Sequence, residues 1–589
     1  MRSRKYIPLL LTAAAAAFLL RLFVAFELGS INGGVNSVFT PSQATDLCTY
    51  MRLAEEIASG KYKGVFYYQP FYYAVFLPCI RLLFGAGVWQ VIIIQSLLGG
   101  ATAFLAGLAG ALIFGRKAGI FSAWMTAVSV PLLLYAPFHQ NETLQTFNIT
   151  LIFYLALLAV CRKKKKYFFL TGLVFGIGIL TRGNLWILLP AVLLAFLLAE
   201  RRKFKALTGH LLLFFLPLLL VQLPFALHNS LELGRLSGPS TAADAVLGLG
   251  NTWEAPPGGR NTGLPAGPME YPEAYHRAMA KTIEGLSLPR QMLEMLLKQP
   301  GAFLELQFRK LLLFWQSGEI PNNVSLYGEG EFSFVLRNMF PGSSAVLLAL
   351  GAAGLMLFLP ALFCRFKVKM ILLYGFILLY WGAVAAFYIL SRFRAPVIPL
   401  ITVAGGGFLC AYLKSFKQGR GRFLNLTALL FAAVWLTSFA YDSYRSCESA
   451  VMRLVRPCGT ILPAQKGYPE TRFDHGPFSF GGWESRELSR GTLLEKIFTA
   501  PGQSVRWSLT ASLPGLLVCR VPGGEARVIQ LKKGMNEITL PLSGSRAQLE
   551  ILSCPQGTAA ILDHQRHYSR SLLNGLPLPG EWVARMDRP

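Results

Sequence analysis

The sequence predicts an α-helical polytopic membrane protein of about eleven transmembrane helices, followed by an extracytoplasmic β-rich domain. Three observations carry that expectation. Of the 589 residues 53% are hydrophobic, and mean hydropathy is +0.46, the composition of a chain that lives mostly in lipid. Apolar runs alternate with short basic clusters: RSRK at 2–5, RK at 116–117, RKKKK at 162–166, RRKFK at 201–205, RFKVK at 365–369 and KSFKQGRGR at 414–422. From about residue 492 the pattern becomes short β-type runs separated by turns, among them SVRWSLTA, GLLVCRV and NEITLPL, which suits a small antiparallel sandwich.

The apolar runs give spans at roughly 6–26, 88–113, 118–137, 143–161, 167–181, 184–199, 206–228, 343–363, 370–390, 395–413 and 423–441. Cytoplasmic loops collect Lys and Arg, and these spans put every basic cluster on one side. The first run could instead be a cleaved signal peptide, but it is long and lacks a clear small-residue cleavage site. The run 70–85 (PFYYAVFLPCIRLLFG) is short for a span and contains Pro70, Pro78 and Arg81. Counting it as one would also reverse every later loop, so it is read as a helix lying on the outer membrane surface. Cys161, Cys364 and Cys410 then fall at inner span ends, while Cys48, Cys79, Cys447, Cys458, Cys519 and Cys554 fall outside. Cys48–Cys79, Cys447–Cys458 and Cys519–Cys554 are the plausible disulfides. No Cys or His spacing fits a zinc site.

Residues 1–441 form the transmembrane unit, with outer loops at 27–87 and 229–342, and 442–589 form the β-sandwich-like domain. The net charge of +26 lies largely in short loops beside apolar runs, where it sets topology and meets lipid headgroups; nucleic acid is not an expected partner. In the first loop, Leu47, Tyr50, Met51, Ala54, Ile57 and Ala58 recur at helical spacing, so 46–59 reads as an amphipathic helix ending at Gly60. The second loop turns helical around 272–315, broken at Pro300–Gly301.

The spans from 88 to 441 hold almost no ionisable residue away from their ends, His210 being the main exception. Ion-coupled transport needs polar groups near the midplane, so the pattern favours an enzyme working at the outer interface. Asp46 has the position of a helix N-cap or of a base close to an acceptor hydroxyl. Glu142, in HQNETLQ, is either a helix start favoured by the macrodipole or a second site carboxylate. Glu319, in SGEIPNN, is either half of a loop salt bridge or a further site group. Arg182 follows about fifteen apolar residues, roughly 22 Å of helix against a hydrocarbon core of about 30 Å, which recesses it below the outer surface. Arg392 and Arg394 lie in a Pro-bounded turn that a non-helical backbone would aim one way. Guanidinium suits bidentate phosphate binding; snorkelling to lipid headgroups is the alternative for all three arginines.

In order along the chain, Asp46 with Tyr50 and Ala54, YYQPFYYAVFLPCIRLLFG (67–85), GIGILTRGNLWILLP (176–190), LHNSLELGRLSGPS (227–240), RKLLLFWQSGEIPNN (309–323) and SRFRAPVIPL (391–400) resemble the GT-C superfamily of membrane glycosyltransferases, the group of the protein O-mannosyltransferases and aminoarabinose transferases. The resemblance spans roughly 1–415. This chain has Gln69 where some relatives carry Lys or His, and His228–Asn229 where many carry Arg-Asn. The resemblance implies a polyprenyl-phosphate-sugar donor and Asp46 as general base, with inversion at the anomeric carbon. It also implies donor-phosphate contacts from Arg182, Arg392 and Arg394, joined by Lys310, His228 and Arg21. Tyr50, Gln69, Tyr72 and Glu319 complete the candidate site. The acceptor, whether glycan, lipid or protein, is unspecified; no organic cofactor is called for, and a divalent metal stays open. Nucleotide sugars are not expected outside the membrane, so a lipid-linked donor fits an extracytoplasmic site, which points to a bacterial plasma membrane. A surface-polysaccharide ligase or polymerase using pyrophosphate-linked donors, a lipid-linked sugar transporter and a structural anchor are the competing readings.

The charge alternation has a direct test. Reporter fusions at residues 165 and 500 should show opposite sidedness, cytoplasmic and extracytoplasmic respectively; the same sidedness for both would overturn the topology and the site built on it.

Overall fold

In the computed structural model, the described residues are 6–29, 45–200, 204–242, 288–315, 326–330, 332–363 and 367–445, short pieces at 38–39, 41, 246–247, 250–251, 259–261, 264–266 and 323–324, and nine strands with some of their turns between 484 and 587. Eight helices among them are long and apolar enough to cross a membrane: Tyr6–Gly29, Val88–Phe114, Glu142–Arg162, Gly183–Glu200, Phe204–Leu233, Ser344–Phe363, Val368–Phe387 and Ser391–Lys417. The protein is thus a polytopic helical membrane protein. Of the other three predicted runs, 423–441 lies wholly within the helix Gly421–Arg445, and the remaining two form shorter helices, each with a visible reason. Lys165–Thr181 has 17 residues. The predicted span 118–137 is two helices, α5 (Arg116–Ala127) and α6 (Val130–Tyr135), because Ser129 is extended and Pro131 follows at the start of the second; proline cannot donate the bond that would continue the first.

That break shapes the bundle. Residues 129–142 are buried throughout, and a buried non-helical segment must find partners for its backbone polar groups. Gln95, inside the helix α4 (Val88–Phe114), supplies them: its Nε2 donates to the carbonyls of Ala136 and Phe138, both at 2.8 Å, while its Oε1 accepts from Tyr72 at 2.9 Å. One amide side chain therefore ties the broken segment to the 70–85 run.

That run is helical from Tyr72, with a π-turn over Tyr72–Phe76 before the α-helix Leu77–Phe84. The wider turn sits just ahead of Pro78, where the α-helical bond pattern is interrupted. Leu82, Leu83 and Phe84 are exposed at its end, an apolar tip suited to lipid. The amphipathic helix α2 (Asp46–Ala58) buries Leu47, Tyr50 and Ala54 and ends with Gly60 at φ 68°, a left-handed position that glycine takes without strain. In the second loop the helices Leu288–Lys298 and Pro300–Phe314 are separated at Gln299; residues 267–287 lie outside the described ones. Cys48, Cys79 and Cys519 are free thiols, so the expected Cys48–Cys79 and Cys519–Cys554 bridges are absent; Cys519 points inward from its strand and is fully buried. Cys447 and Cys458 fall outside the described residues.

The bundle has two chemically different ends. At one, Lys163 donates to the Ala199 carbonyl at 2.6 Å and approaches Glu200 at 3.4 Å, and Lys369 donates to the Leu112 carbonyl at 2.7 Å. At the other lies Glu142, first residue of the 21-residue helix α7 (Glu142–Arg162), about 30 Å away at 1.5 Å per residue.

After the short antiparallel pair β1 (Gly259–Asn261) and β2 (Leu264–Ala266) of the second loop, the C-terminal part contains β3 (Glu484–Glu487), β4 (Leu493–Phe498), β5 (Ser504–Ala511), β6 (Gly515–Arg520), β7 (Ala526–Leu531), β8 (Gly534–Pro541), β9 (Arg546–Ser553), β10 (Thr558–Leu562) and β11 (Trp582–Asp587). They form two antiparallel sheets, ordered β3-β10-β5-β8 and β11-β4-β9-β6-β7. Trp507, Leu509 and Ala511 on β5, and Leu517 and Cys519 on β6, are buried at alternate positions, the two-residue period that marked these runs in the sequence.

Replacing Gln95 by Leu would take a partner from the Tyr72 hydroxyl and the Ala136 carbonyl, each at a cost of about 1–3 kcal/mol, and would leave the Phe138 carbonyl with its Gln140 N–H at 2.7 Å. The thermal midpoint of the purified Gln95→Leu protein should fall well below that of the wild type; an unchanged midpoint would show that this amide does not hold the broken segment.

Candidate active site

The site is assembled at the end of the bundle away from the basic clusters. Its first component is Glu142, which opens α7 in the last step of the buried HQNE segment. Polar residues on the first turns of α7 then grip the end of α8 (Lys165–Thr181). Asn141 donates to the Thr181 carbonyl at 2.7 Å, Thr181 donates to Gln145 Oε1 at 2.5 Å, and Asn148 donates to the Thr181 hydroxyl at 3.3 Å. Arg182 follows in extended conformation, and its Nη2 donates to Glu142 Oε1 at 2.8 Å. Arg182 is buried in the protein.

The second component is Asp46. Thr45 occupies the N-cap and Asp46 the first helical position of α2, so Asp46 is not itself the cap. Arg392 Nη1 donates to Asp46 Oδ2 at 2.7 Å, and Asn323 Nδ2 donates to the same oxygen at 2.8 Å. Arg392 Nη1 also lies 3.9 Å from Glu142 Oε1. The charges therefore form one alternating chain, Asp46–Arg392–Glu142–Arg182. Phe393 lies against both cations, its ring centroid 5.1 Å from the Arg392 guanidinium and 4.7 Å from that of Arg182, a cation–π arrangement that orients each plane. Burial acts to raise the Asp46 carboxyl, but the Arg392 guanidinium and the Asn323 amide outweigh it and hold the pKa below the ordinary value.

Tyr50, one turn along α2, is driven far above the usual tyrosine pKa by burial and by the charge of Asp46, so it stays a protonated donor; its partner is Gln69 Oε1. Gln69 has φ 50°, in the left-handed region and directly before Pro70, a strained position for a non-glycine residue. Tyr72 packs edge-on against Tyr50 at 5.1 Å. His139 is buried, which pushes its pKa down to about 4 and keeps it neutral.

The other candidates lie elsewhere. Arg394 does not join Arg392, because Ser391–Arg394 is a helical turn rather than a non-helical one. Side chains two residues apart on a helix diverge by about 200°, and Arg394 donates to the Phe314 carbonyl at 3.4 Å and the Ser391 hydroxyl at 3.5 Å. Lys310 donates to the Gly250 carbonyl at 2.5 Å and to Asn251 Oδ1 at 3.0 Å, and burial pulls its ammonium down to about 7. His228 lies 2.9 Å from the Gly64 carbonyl, and Asn229 exchanges hydrogen bonds with the Phe66 backbone, so this pair holds the approach to the 70–85 run. Arg21 donates to the Ala17 carbonyl at 2.8 Å and lies flat on Gly99, where a Cβ would come within 2.1 Å of its Nε. It shares with Glu142, Thr102, Thr143 and Thr146 the lining of a cavity of about 10 Å³, room for about one water. Buried Arg21 Nε and Glu142 Oε2 have no protein partner. Glu319 lies outside the described residues. Among the described residues no three His, Cys, Asp or Glu side chains gather as a metal site.

Sequence reasoning missed Asn323 and Phe393. Both sit inside quoted motifs, Asn323 at the end of SGEIPNN and Phe393 between the two arginines, but neither carries a charge that would set it apart.

The fold and site define an integral membrane protein with a buried, charge-balanced cluster at one end of its helices. Residues 68–227 match the family described as dolichyl-phosphate-mannose-protein mannosyltransferase. The match is the mannosyltransferase-type resemblance read from the sequence, found over the stretch that carries Gln69, Tyr72, Glu142 and Arg182; Asp46 and Arg392 lie beyond it. Among solved structures, the chain is similar to the archaeal oligosaccharyltransferase AglB from Archaeoglobus fulgidus, solved with an inhibitory peptide and a dolichol-phosphate, at 18% identity and TM-score 0.43, covering 83% of this chain and 62% of that one. It is also similar to ArnT from Cupriavidus metallidurans bound to undecaprenyl phosphate, at 14% identity and TM-score 0.39, covering 70% and 64%. The arabinosyltransferase EmbB from Mycobacterium smegmatis follows at 12% identity and TM-score 0.26, covering 95% and 64%. The chain spans less than two thirds of each, and nothing about activity rests on likenesses this loose. No curated protein matches the sequence.

The Glu142–Arg182 pair is 2% and 10% exposed. Removing one member of a buried pair strands the other charge, at about 3–5 kcal/mol. Arg182→Met should therefore lower the thermal midpoint sharply, and adding Glu142→Gln should restore part of it. A double variant as unstable as the sum of the singles would show that the two charges are not coupled.

Proposed function

We propose that the protein is a glycosyltransferase that moves a sugar from a polyprenyl-phosphate-linked donor to an acceptor hydroxyl at the extracytoplasmic face of the membrane. The observation that carries this reading is the pairing of Asp46 with Arg392 beside the Glu142–Arg182 pair, at the bundle end opposite the basic clusters. Displacement at an anomeric carbon calls for a base at the acceptor and a cation at the leaving phosphate, and a carboxylate and a guanidinium in one cluster can supply both. The match of residues 68–227 to a mannosyltransferase family supports the same reaction class.

In the reaction, the acceptor oxygen forms its bond to the anomeric carbon while the bond from that carbon to the phosphate oxygen breaks. The acceptor proton passes to Asp46, and the bonding pair leaves with the phosphate. Arg392, with Arg182 behind the shared Phe393 ring, opposes the charge that collects on the departing phosphate, electrostatic stabilisation by groups already in position. Glu142 keeps Arg182 neutralised and oriented. Lys310, His228 and Arg394 act on the frame: they hold the 250–251 segment, the approach to the 70–85 run and the turn after Leu390. With the basic loops read as cytoplasmic, this reading assigns the charge-paired end and the β-rich domain to the extracytoplasmic side.

Asp46→Asn keeps the shape and removes the base, so turnover should fall by about 10²- to 10⁴-fold. The measurement is release of free polyprenyl phosphate from a labelled polyprenyl-phosphate-sugar by the reconstituted protein. Full activity of Asp46→Asn would leave Glu142 as the carboxylate to examine; no release by the wild type with any such donor would overturn the reading.

A further inference from the structure

Arg392 is asked to serve two anions. Its Nη1 is 2.7 Å from Asp46 Oδ2, a full charge-assisted hydrogen bond, and the reading above also gives it the donor phosphate. A carboxylate bound this closely to a guanidinium is a poor proton acceptor, because the cation stabilises the ionised form it would have to leave. The two carboxylates of the cluster differ in how they would fare without Arg392. Glu142 is 2% exposed and has Arg182 at 2.8 Å, so it stays compensated. Asp46 is 30% exposed and, among the described residues, would keep in hydrogen-bond contact the neutral Asn323 amide at 2.8 Å, which orients the carboxylate without neutralising it, with Arg182 acting on it from farther away.

We propose that the donor phosphate and Asp46 compete for Arg392, so that lipid binding takes the guanidinium from Asp46 and thereby frees the carboxylate to accept the acceptor's proton. This rests on the reading of Asp46 as base and Arg392 as phosphate ligand. The charge count closes over the reaction. The bound donor phosphate carries one negative charge and Asp46 another. When the acceptor proton reaches Asp46 and the phosphate departs with the bonding pair, the charge lost at Asp46 reappears on the phosphate. A single cation that has already moved to the phosphate is then beside the charge where it ends. Donor must bind first, and the base is masked whenever the lipid is absent.

The test is binding of a short-chain polyprenyl phosphate to the purified full-length protein by calorimetry, with no turnover involved. If Asp46 competes for Arg392, Asp46→Asn should bind the lipid more tightly, on the order of tenfold, the worth of one charged hydrogen bond released. Asp46→Ser provides a second removal of the charge should the Asn variant fail to fold. Simple repulsion between Asp46 and phosphate would also tighten binding, so the cycle is completed in an Arg392→Met background. Competition predicts that Asp46→Asn then has no effect, whereas repulsion predicts that the gain persists. Unchanged or weaker binding by both Asp46 variants, or a gain that survives in Arg392→Met, overturns the proposal. No binding of the lipid by the wild type would instead sink the functional reading beneath it.

Discussion

The structure depends on keeping two carboxylates and two guanidiniums together in a place that water scarcely reaches. Each charge alone would be prohibitive there, since the desolvation penalty of a buried ion is several kcal/mol even after relaxation. Arranged as Asp46–Arg392–Glu142–Arg182, they compensate one another along a chain. The scaffold is recognisably built for that purpose. Thr181 is held by Asn141, Gln145 and Asn148, so that Arg182 emerges at Glu142; α2 brings Asp46 to Arg392; and Asn323 holds the same Asp46 oxygen. A cluster this well compensated is stable enough to persist, yet its most exposed member keeps access to a substrate.

Much of this architecture was legible in the sequence because membranes impose simple rules. Alternating basic clusters and apolar runs gave the helices and the opposition of the two ends, and two-residue alternation marked β4 through β9. The strands β3, β10 and β11 were less visible: ESRE is polar throughout, TAAIL is short, and WVARMD follows a turn-rich tract, so none stands out by period. The break at Ser129 was also missed although Pro131 was in view. A proline within an apolar run is compatible with a kinked span, and only the burial of 129–142, with Gln95 waiting for the freed carbonyls, shows why the chain stops being helical.

The candidate site was legible in part for the same reason. Asp46, Glu142, Arg182 and Arg392 stood out as charges near span ends, and they do meet. Arg394 bears the same charge in the same turn but points elsewhere, because which way a side chain faces depends on whether four residues are helical, and SRFR with a following proline does not announce that. Lys310 and His228 were drawn in by resemblance, and their hydrogen bonds to Gly250, Asn251 and Gly64 give them a framing place. Neutral residues such as Asn323 and Phe393 offer no charge signal and became visible only through what they touch.

Phe393 touches both guanidiniums at once, and this has an evolutionary consequence. A ring shared by two cations couples them, so a change that moves Arg392 also disturbs the plane of Arg182 and, through it, the buried Glu142. Variation at this turn therefore disturbs both ion pairs at once. Single exposed positions such as Lys61, Lys63 and Leu236 have more freedom to drift than the aromatic hinge between the arginines.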